Sequence, residues 1–330
     1  MPVMVCSYEG MPYKIVLLDS VWLQCYSSVS FCYQLVWMSS IGKEHMLLPQ
    51  RINYQVDGGL SLIGDAWGTR DNPPVLLLHG GGQTRYAWGG TAQVLAEHGW
   101  YAVSLDLRGH GESDWAQDGD YAIDAFVADL RTILAHFNQR PVLVGASLGG
   151  MTSLLTEGES PEPVSAAVVL VDITPRVEQE GVDRIRAFMT AKPEGFESLE
   201  EVADHIATYI PHRPRPKDVS GLAKNVRKGP DGRYRWHWHP QLISPARMRR
   251  DPGRMLAAAR ALRVPTLLVR GKISDVVSEE TATEFQAAVP HAQYVDVSGA
   301  GHMVAGDQND VFTQAVVGFL TDVKTHAPAP

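Results

Sequence analysis

The residues best suited to chemistry cluster around Gly145-Ala146-Ser147-Leu148-Gly149, a G-x-S-x-G pattern that directly follows the apolar run Val142-Leu143-Val144 and opens a helical stretch. A serine placed on a sharp strand-to-helix turn presents its hydroxyl outward, and a side chain at Gly145 or Gly149 would collide across such a turn. Gly150 suits close packing of that helix on a sheet. The bland alternative is a glycine-rich turn without chemistry. The strand on one side and the helix on the other favour the nucleophile, Ser147.

A free serine hydroxyl is a weak nucleophile near neutral pH and needs a base. His302, in Gly299-Ala300-Gly301-His302, supplies one, because it falls between the last expected strand and the final helix. The base in turn needs a carboxylate to fix its tautomer and to stabilise the imidazolium. Asp275, in Gly271-Lys272-Ile273-Ser274-Asp275-Val276-Val277, is favoured, since the order Ser, acid, His then puts the acid after the penultimate strand. The alternative acid is Asp172, just beyond the strand that ends at Val171, where it would otherwise help hold an insertion in place. Developing negative charge needs donors. His79-Gly80-Gly81-Gly82 follows a buried strand, so the backbone N–H groups of Gly81 and Leu148 are the expected oxyanion hole. His79 reads as a structural histidine bonded to loop backbone. Gln83 is a pocket candidate.

The elements that must position these groups show in the apolar pattern. Segments 51–56 and 60–67 flank Asp57-Gly58-Gly59 and read as a hairpin. Segments 75–78, 101–105, 141–146, 166–171, 266–269 and 294–297 read as buried strands. Between them Ile123, Phe126, Val127, Leu130, Ile133, Leu134 and Phe137 form one helical face. Ser278 before Glu279 and Glu280 reads as a helix start. Strands alternating with helices predict a parallel sheet covered on both faces. Residues 174–262 break the rhythm with helical pieces, charges and prolines but no clear buried strand, as expected of a helical cap. The expected organisation is a catalytic core at 46–173 and 263–324, the cap at 174–262 and a disordered tail at 325–330.

Residues 1–45 look foreign to this pattern. They hold all three cysteines (Cys6, Cys25, Cys32) and an apolar stretch from Ile15 to Met38 interrupted by Asp19, Gln24, Gln34 and serines. The stretch fits neither a membrane anchor nor a secretory signal well, and a start of translation at Met38 or Met46 is the favoured expectation. Three clustered cysteines make neither a disulfide framework nor a metal site, and a reducing cytoplasm is the default compartment. A net charge of −8 argues against a nucleic-acid surface. The arginine-rich stretches 213–217 and 247–254 read as solvated faces.

The Asp106-Leu107-Arg108-Gly109-His110-Gly111-Glu112-Ser113 segment is similar to the D-x-R-G-x-G-x-S turn of the esterase, lactonase, epoxide-hydrolase and cofactor-free haloperoxidase branch of the α/β-hydrolase superfamily. Together with the G-x-S-x-G and H-G-G-G patterns the resemblance spans residues 51–323. It implies an α/β-hydrolase fold: a mostly parallel eight-stranded sheet, helices on both faces, and a helical cap inserted after strand six. The nucleophile would then follow strand five, the acid strand seven and the histidine strand eight. Epoxide hydrolases and haloalkane dehalogenases carry Asp at the nucleophile position. Ser147 departs from them, since a serine ether would not hydrolyse, and both activities are set aside.

The expected activity is hydrolysis of a small to medium carboxylic ester or lactone through an acyl-enzyme on Ser147, without cofactor or metal. Carbon–carbon bond hydrolysis and perhydrolysis (the haloperoxidase chemistry) use the same triad. A receptor or scaffold with little turnover is the alternative of another class. Trp236 and Trp238 either wall an apolar pocket or pack the cap onto the sheet. His237 and His239 lack a third partner for a metal. The expected partner is a small-molecule substrate, with no nucleic acid and no membrane, and a homodimer is left open.

Overall fold

Alternate residues of the strands face opposite ways, and this divides the apolar side chains into two core layers. Leu77, Val144, Val169 and Val269 pack on one side of the sheet, while Leu76, Leu143, Leu170 and Leu268 pack on the other. The computed structural model describes residues 48–211, 213–244, 251–302 and 309–326, together with two short strands between residues 4 and 15.

Those two strands, β1 (Met4–Tyr8) and β2 (Met11–Ile15), pair antiparallel as a hairpin in a unit of their own. The rest of the apolar N-terminal stretch lies outside the described residues. In the second unit the eight strands expected from the apolar pattern are all present: β3 (Gln50–Val56), β4 (Leu60–Trp67), β5 (Pro74–Leu78), β6 (Tyr101–Leu105), β7 (Val142–Ala146), β8 (Ala167–Val171), β11 (Thr266–Gly271) and β12 (Gln293–Val297). They form one sheet in the order β12-β11-β8-β7-β5-β6-β4-β3. The β4 strand runs antiparallel to both of its neighbours, and the remaining pairs are parallel. The turn between β3 and β4 puts Gly58 and Gly59 at φ of 78° and 75°, as the Asp57-Gly58-Gly59 signal requires.

One face is covered by α1 (Gly89–Glu97) and α8 (Asn309–His326), through Ala92, Leu95, Phe312 and Val316. Helix α8 runs through Thr325 and His326, where a disordered tail was expected, and the last four residues lie outside the described residues. On the other face lie α2 (Ile123–Leu134), α3 (Leu148–Gly158), α6 (Pro252–Ala261) and α7 (Glu279–Ala288). Phe126, Leu130, Leu155, Ala258 and Phe285 pack there. Ser278 caps α7 by accepting a hydrogen bond from Thr281 N–H.

The insertion after β8 contains α4 (Gln179–Thr190), α5 (Leu199–Tyr209) and a small antiparallel hairpin, β9 (Val226–Lys228) and β10 (Tyr234–Trp236). The hairpin is absent from the sequence expectation because three-residue strands leave no readable alternation. Helix α6, at the end of the segment expected to be cap, packs in the core layer. A side chain at Gly158 of α3 would meet Ala258 O at 2.3 Å, so the two helices touch backbone to backbone. Phe312 of α8 is fully buried, its ring centroid 5.5 Å from that of Trp88. Phe312→Ala is expected to cost about 3–5 kcal/mol, read from urea unfolding curves.

Candidate active site

The turn after β7 holds Ser147 at φ 45° and ψ −106°, a backbone conformation that costs a non-glycine residue roughly 1–3 kcal/mol and persists only where the surroundings enforce it. The enforcement is visible. Ser147 N–H donates to Val171 O at 3.1 Å, and Met151 N–H donates to Ser147 O at 2.8 Å. A side chain on Gly145 would lie 2.4 Å from the Gly149 backbone, and one on Gly149 would lie 2.3 Å from Leu78 O, so this turn closes only with glycine at both positions.

His302 lines the same cavity as Ser147. Its Nδ1–H donates to Asp172 Oδ2 at 2.7 Å. With the proton held on Nδ1, Nε2 is left as the nitrogen with a lone pair. Asp172 is fully buried at the end of β8, at φ 50°. Its carboxylate also accepts from Gly271 N–H at 3.0 Å and from Ser274 Oγ–H at 2.5 Å. Three donors therefore converge on this one buried carboxylate.

Asp275, the favoured acid of the sequence analysis, is elsewhere. Its carboxylate is bound twice by the Arg184 guanidinium of α4, at the surface. The reason is local. Ser274 turns its hydroxyl to Asp172 while accepting from Val276 and Val277 N–H, each at 3.1 Å, and the next side chain then points away towards α4. Gly271 also matters, because a side chain there would sit 2.3 Å from Gly301 O and push away the segment that carries His302. Both residues stand in the motif singled out around Asp275, yet only Asp275 was weighed there.

The loop after β5 lies over the turn. Gly81 and Leu148 both line the cavity, and a side chain on Gly81 would meet nothing within 4 Å. Gln83 also lines the cavity, but its Oε1 is turned back to accept from Gly80 N–H at 2.8 Å. Trp236 and Trp238 do both jobs weighed for them. They line the cavity, stack on each other at 4.7 Å and 11°, and Trp236 packs edge-on against Phe196 of the cap.

Three buried histidines surround this loop. His79 Nδ1–H donates to Gly80 O at 2.8 Å, and its Nε2 accepts from Leu107 N–H at 3.0 Å. His110 Nδ1–H donates to Arg108 O at 3.0 Å, and its Nε2 accepts from Gly82 N–H at 3.2 Å. His237, from the cap, accepts from Gly111 N–H at 2.7 Å through Nδ1 and faces Gly82 O at 3.3 Å through Nε2. Each ring nitrogen that accepts a backbone N–H has no room for a proton. Burial above all, with repulsion from Arg85 and from one another, lowers His79 to about 4, His110 to about 3, and His237 well below its ordinary value. His239 is also not placed for a metal, since its Nδ1 accepts from Gln241 N–H and its ring stacks on Tyr121. Among the described residues no cluster of His, Cys, Asp and Glu is arranged to hold a metal ion. No helix among them is long and apolar enough to cross a membrane.

The sequence pattern of the alpha/beta hydrolase fold matches residues 73–307. The chain belongs to the alpha/beta hydrolase family. This hydrolase is 31% identical over 260 residues to an esterase of Mycobacterium tuberculosis, covering 75% of this chain and 83% of the relative. It is 30% identical over 254 residues to a 3-hydroxybutyrate-oligomer hydrolase of Cupriavidus necator, covering 72% and 85%. Among solved structures, the crystal structure of E-2-(acetamidomethylene)succinate hydrolase superposes with a TM-score of 0.72 at 25% identity, over 82% of this chain and all of that one. The protein is an alpha/beta hydrolase, an enzyme with hydrolase activity.

The three histidines also set an acid limit. Each is neutral in the folded protein and takes up a proton near 6.5 once unfolded. Their contribution to stability is therefore complete above about pH 6.5 and declines as pH falls towards the folded values, by about 1.4 kcal/mol per pH unit for each ring protonated only in the unfolded chain. Urea midpoints measured from pH 7 to pH 4 should fall accordingly, with net proton uptake on unfolding.

Proposed function

We propose that this enzyme hydrolyses a small to medium carboxylic ester or lactone through an acyl-enzyme on Ser147, with His302 as general base and Asp172 as the orienting acid. The observation that carries the reading is the 2.7 Å contact between His302 Nδ1 and the buried Asp172 carboxylate, on an imidazole that shares a cavity with the strained serine. In this scheme His302 Nε2 takes the hydroxyl proton as Ser147 attacks the carbonyl carbon. The tetrahedral oxyanion rests on Gly81 N–H and Leu148 N–H. His302 then protonates the leaving oxygen, and a water deprotonated by the same nitrogen releases the acid.

The cavity supports an ester with an apolar acyl part. Its volume is about 1420 Å3, and Met151, Leu155, Ile185, Met189 and Trp238 supply apolar wall. Carbon–carbon bond hydrolysis and perhydrolysis would draw on the same three residues, and product analysis with and without peroxide separates them.

Ser147→Ala is expected to abolish turnover of p-nitrophenyl butyrate without changing the melting temperature. Asp172→Asn should lower kcat by about 10³–10⁴-fold, because the imidazole loses the carboxylate that fixes its tautomer. Asp275→Asn, which touches only a surface ion pair, should stay within about threefold of the parent. The reverse ranking of the two aspartate variants would return the acid role to Asp275. Stoichiometric ligand binding with no turnover over a range of acyl lengths would favour a receptor.

A further inference from the structure

The loop Gly80-Gly81-Gly82 has three successive residues without side chains, so nothing in its own composition stiffens it. A turn hydrogen bond from Gln83 N–H to Gly80 O at 3.1 Å closes the loop, and neighbouring side chains meet each of its peptide planes. The plane between residues 79 and 80 is held by Gln83 Oε1 on Gly80 N–H. His79 holds the plane between 80 and 81 through Gly80 O, and since a trans peptide points its N–H opposite its C=O, that bond sets the direction of Gly81 N–H. His110 holds the next plane through Gly82 N–H. His237 meets the last, between 82 and 83, through Gly82 O, and the N–H of that same plane donates to Gly80 O, the carbonyl of the plane that carries Gly81 N–H. Three of these four side chains belong to the core. The fourth comes from the loop after β10, in the cap.

His237 is 2% exposed, and its tautomer is dictated by its partners. Gly111 N–H occupies Nδ1, so the ring proton sits on Nε2, facing Gly82 O. The cap also fastens the next peptide, between 111 and 112, where the Arg227 guanidinium of β9 donates to Gly111 O. Gly82 itself sits at φ 77° under the cap, and a side chain there would lie 3.1 Å from Met189 Cε and 3.4 Å from Trp238. We propose that His237 is a positioning residue for the oxyanion loop, so that the loop is set for catalysis only while the cap is seated on the core. The inference rests on the acyl-enzyme reading above, because it concerns the donor that Gly81 offers in that reaction.

Two amide side chains separate this role from simple docking of the cap. Asparagine places Oδ1 near the position of the imidazole Nδ1, so His237→Asn keeps an acceptor for Gly111 N–H but falls short of Gly82 O. Glutamine reaches the Nε2 position, so His237→Gln keeps a donor for Gly82 O. With p-nitrophenyl butyrate, His237→Asn is expected to lose at least about tenfold in kcat, in line with partial loss of an oxyanion donor, with KM within about twofold of the parent. His237→Gln should recover most of that kcat.

A His237→Asn enzyme with unchanged kcat overturns the proposal. So does a loss confined to KM and shared equally by both variants, which is the signature of cap docking alone. If His237→Asn does not fold, His237→Gln decides alone, by its affinity for a trifluoromethyl ketone that forms a tetrahedral adduct on the serine. Affinity near the parent's supports the role, and a tenfold loss removes it. Ser147→Ala is run alongside. Turnover surviving in it overturns the acyl-enzyme reading and this inference with it, whereas a dead Ser147→Ala beside a fully active His237→Asn overturns this inference alone.

Discussion

A carboxylate sealed from solvent must be satisfied entirely by protein donors, and the site is organised around one that is. Asp172 collects a backbone N–H from the end of β11, a hydroxyl from the loop beyond it and the imidazole of His302 from the loop after β12. Removing any one of these leaves negative charge short of a partner in a dry setting, which is costly. The three loops at the carboxyl edge of the sheet are therefore held to one another through a single side chain. The strained serine, whose own N–H bonds the carbonyl of Val171 one residue before that carboxylate, is fixed in the same frame.

How much of this was legible in the sequence follows from how local each signal is. The serine turn depends on five adjacent residues and the strand before them, and the glycine collisions that define it occur within that span or against the neighbouring strand. The sheet was legible for the same reason: buried strands write their burial directly as apolar runs. The acid was not. Asp172 and Asp275 both lie between Ser147 and His302 in the chain and both follow a buried strand, so order alone does not separate them. The choice is made by the path of the 271–277 loop, in which Gly271 lets the His302 segment pass and Ser274 turns inward, and that path is a tertiary fact.

The histidines make the same point from the other side. His79 was readable as structural because its loop carbonyl is its chain neighbour. His110 and His237 are satisfied by backbone groups 28 and 126 residues away, at Gly82 and Gly111 respectively. The pair His237 and His239 suggested a metal only because spacing is visible in a sequence and hydrogen-bond partners are not. In the fold the two rings serve different neighbours.

The route by which the chain leaves the core for the cap has an implication for building chimeras. The insertion departs two residues after Asp172. Its first stretch is riveted to α7 through Arg176, which pairs with Glu280 and Glu284, while Thr174 Oγ–H donates to Arg176 O. A foreign cap grafted at that point would inherit a rigid stem on its leading side only if the splice falls after Arg176. A cut made closer to β8 would transmit any misfit of the new segment straight into the Asp172 carboxylate that holds His302, so the exchangeable module is shorter than the break in strand rhythm suggests.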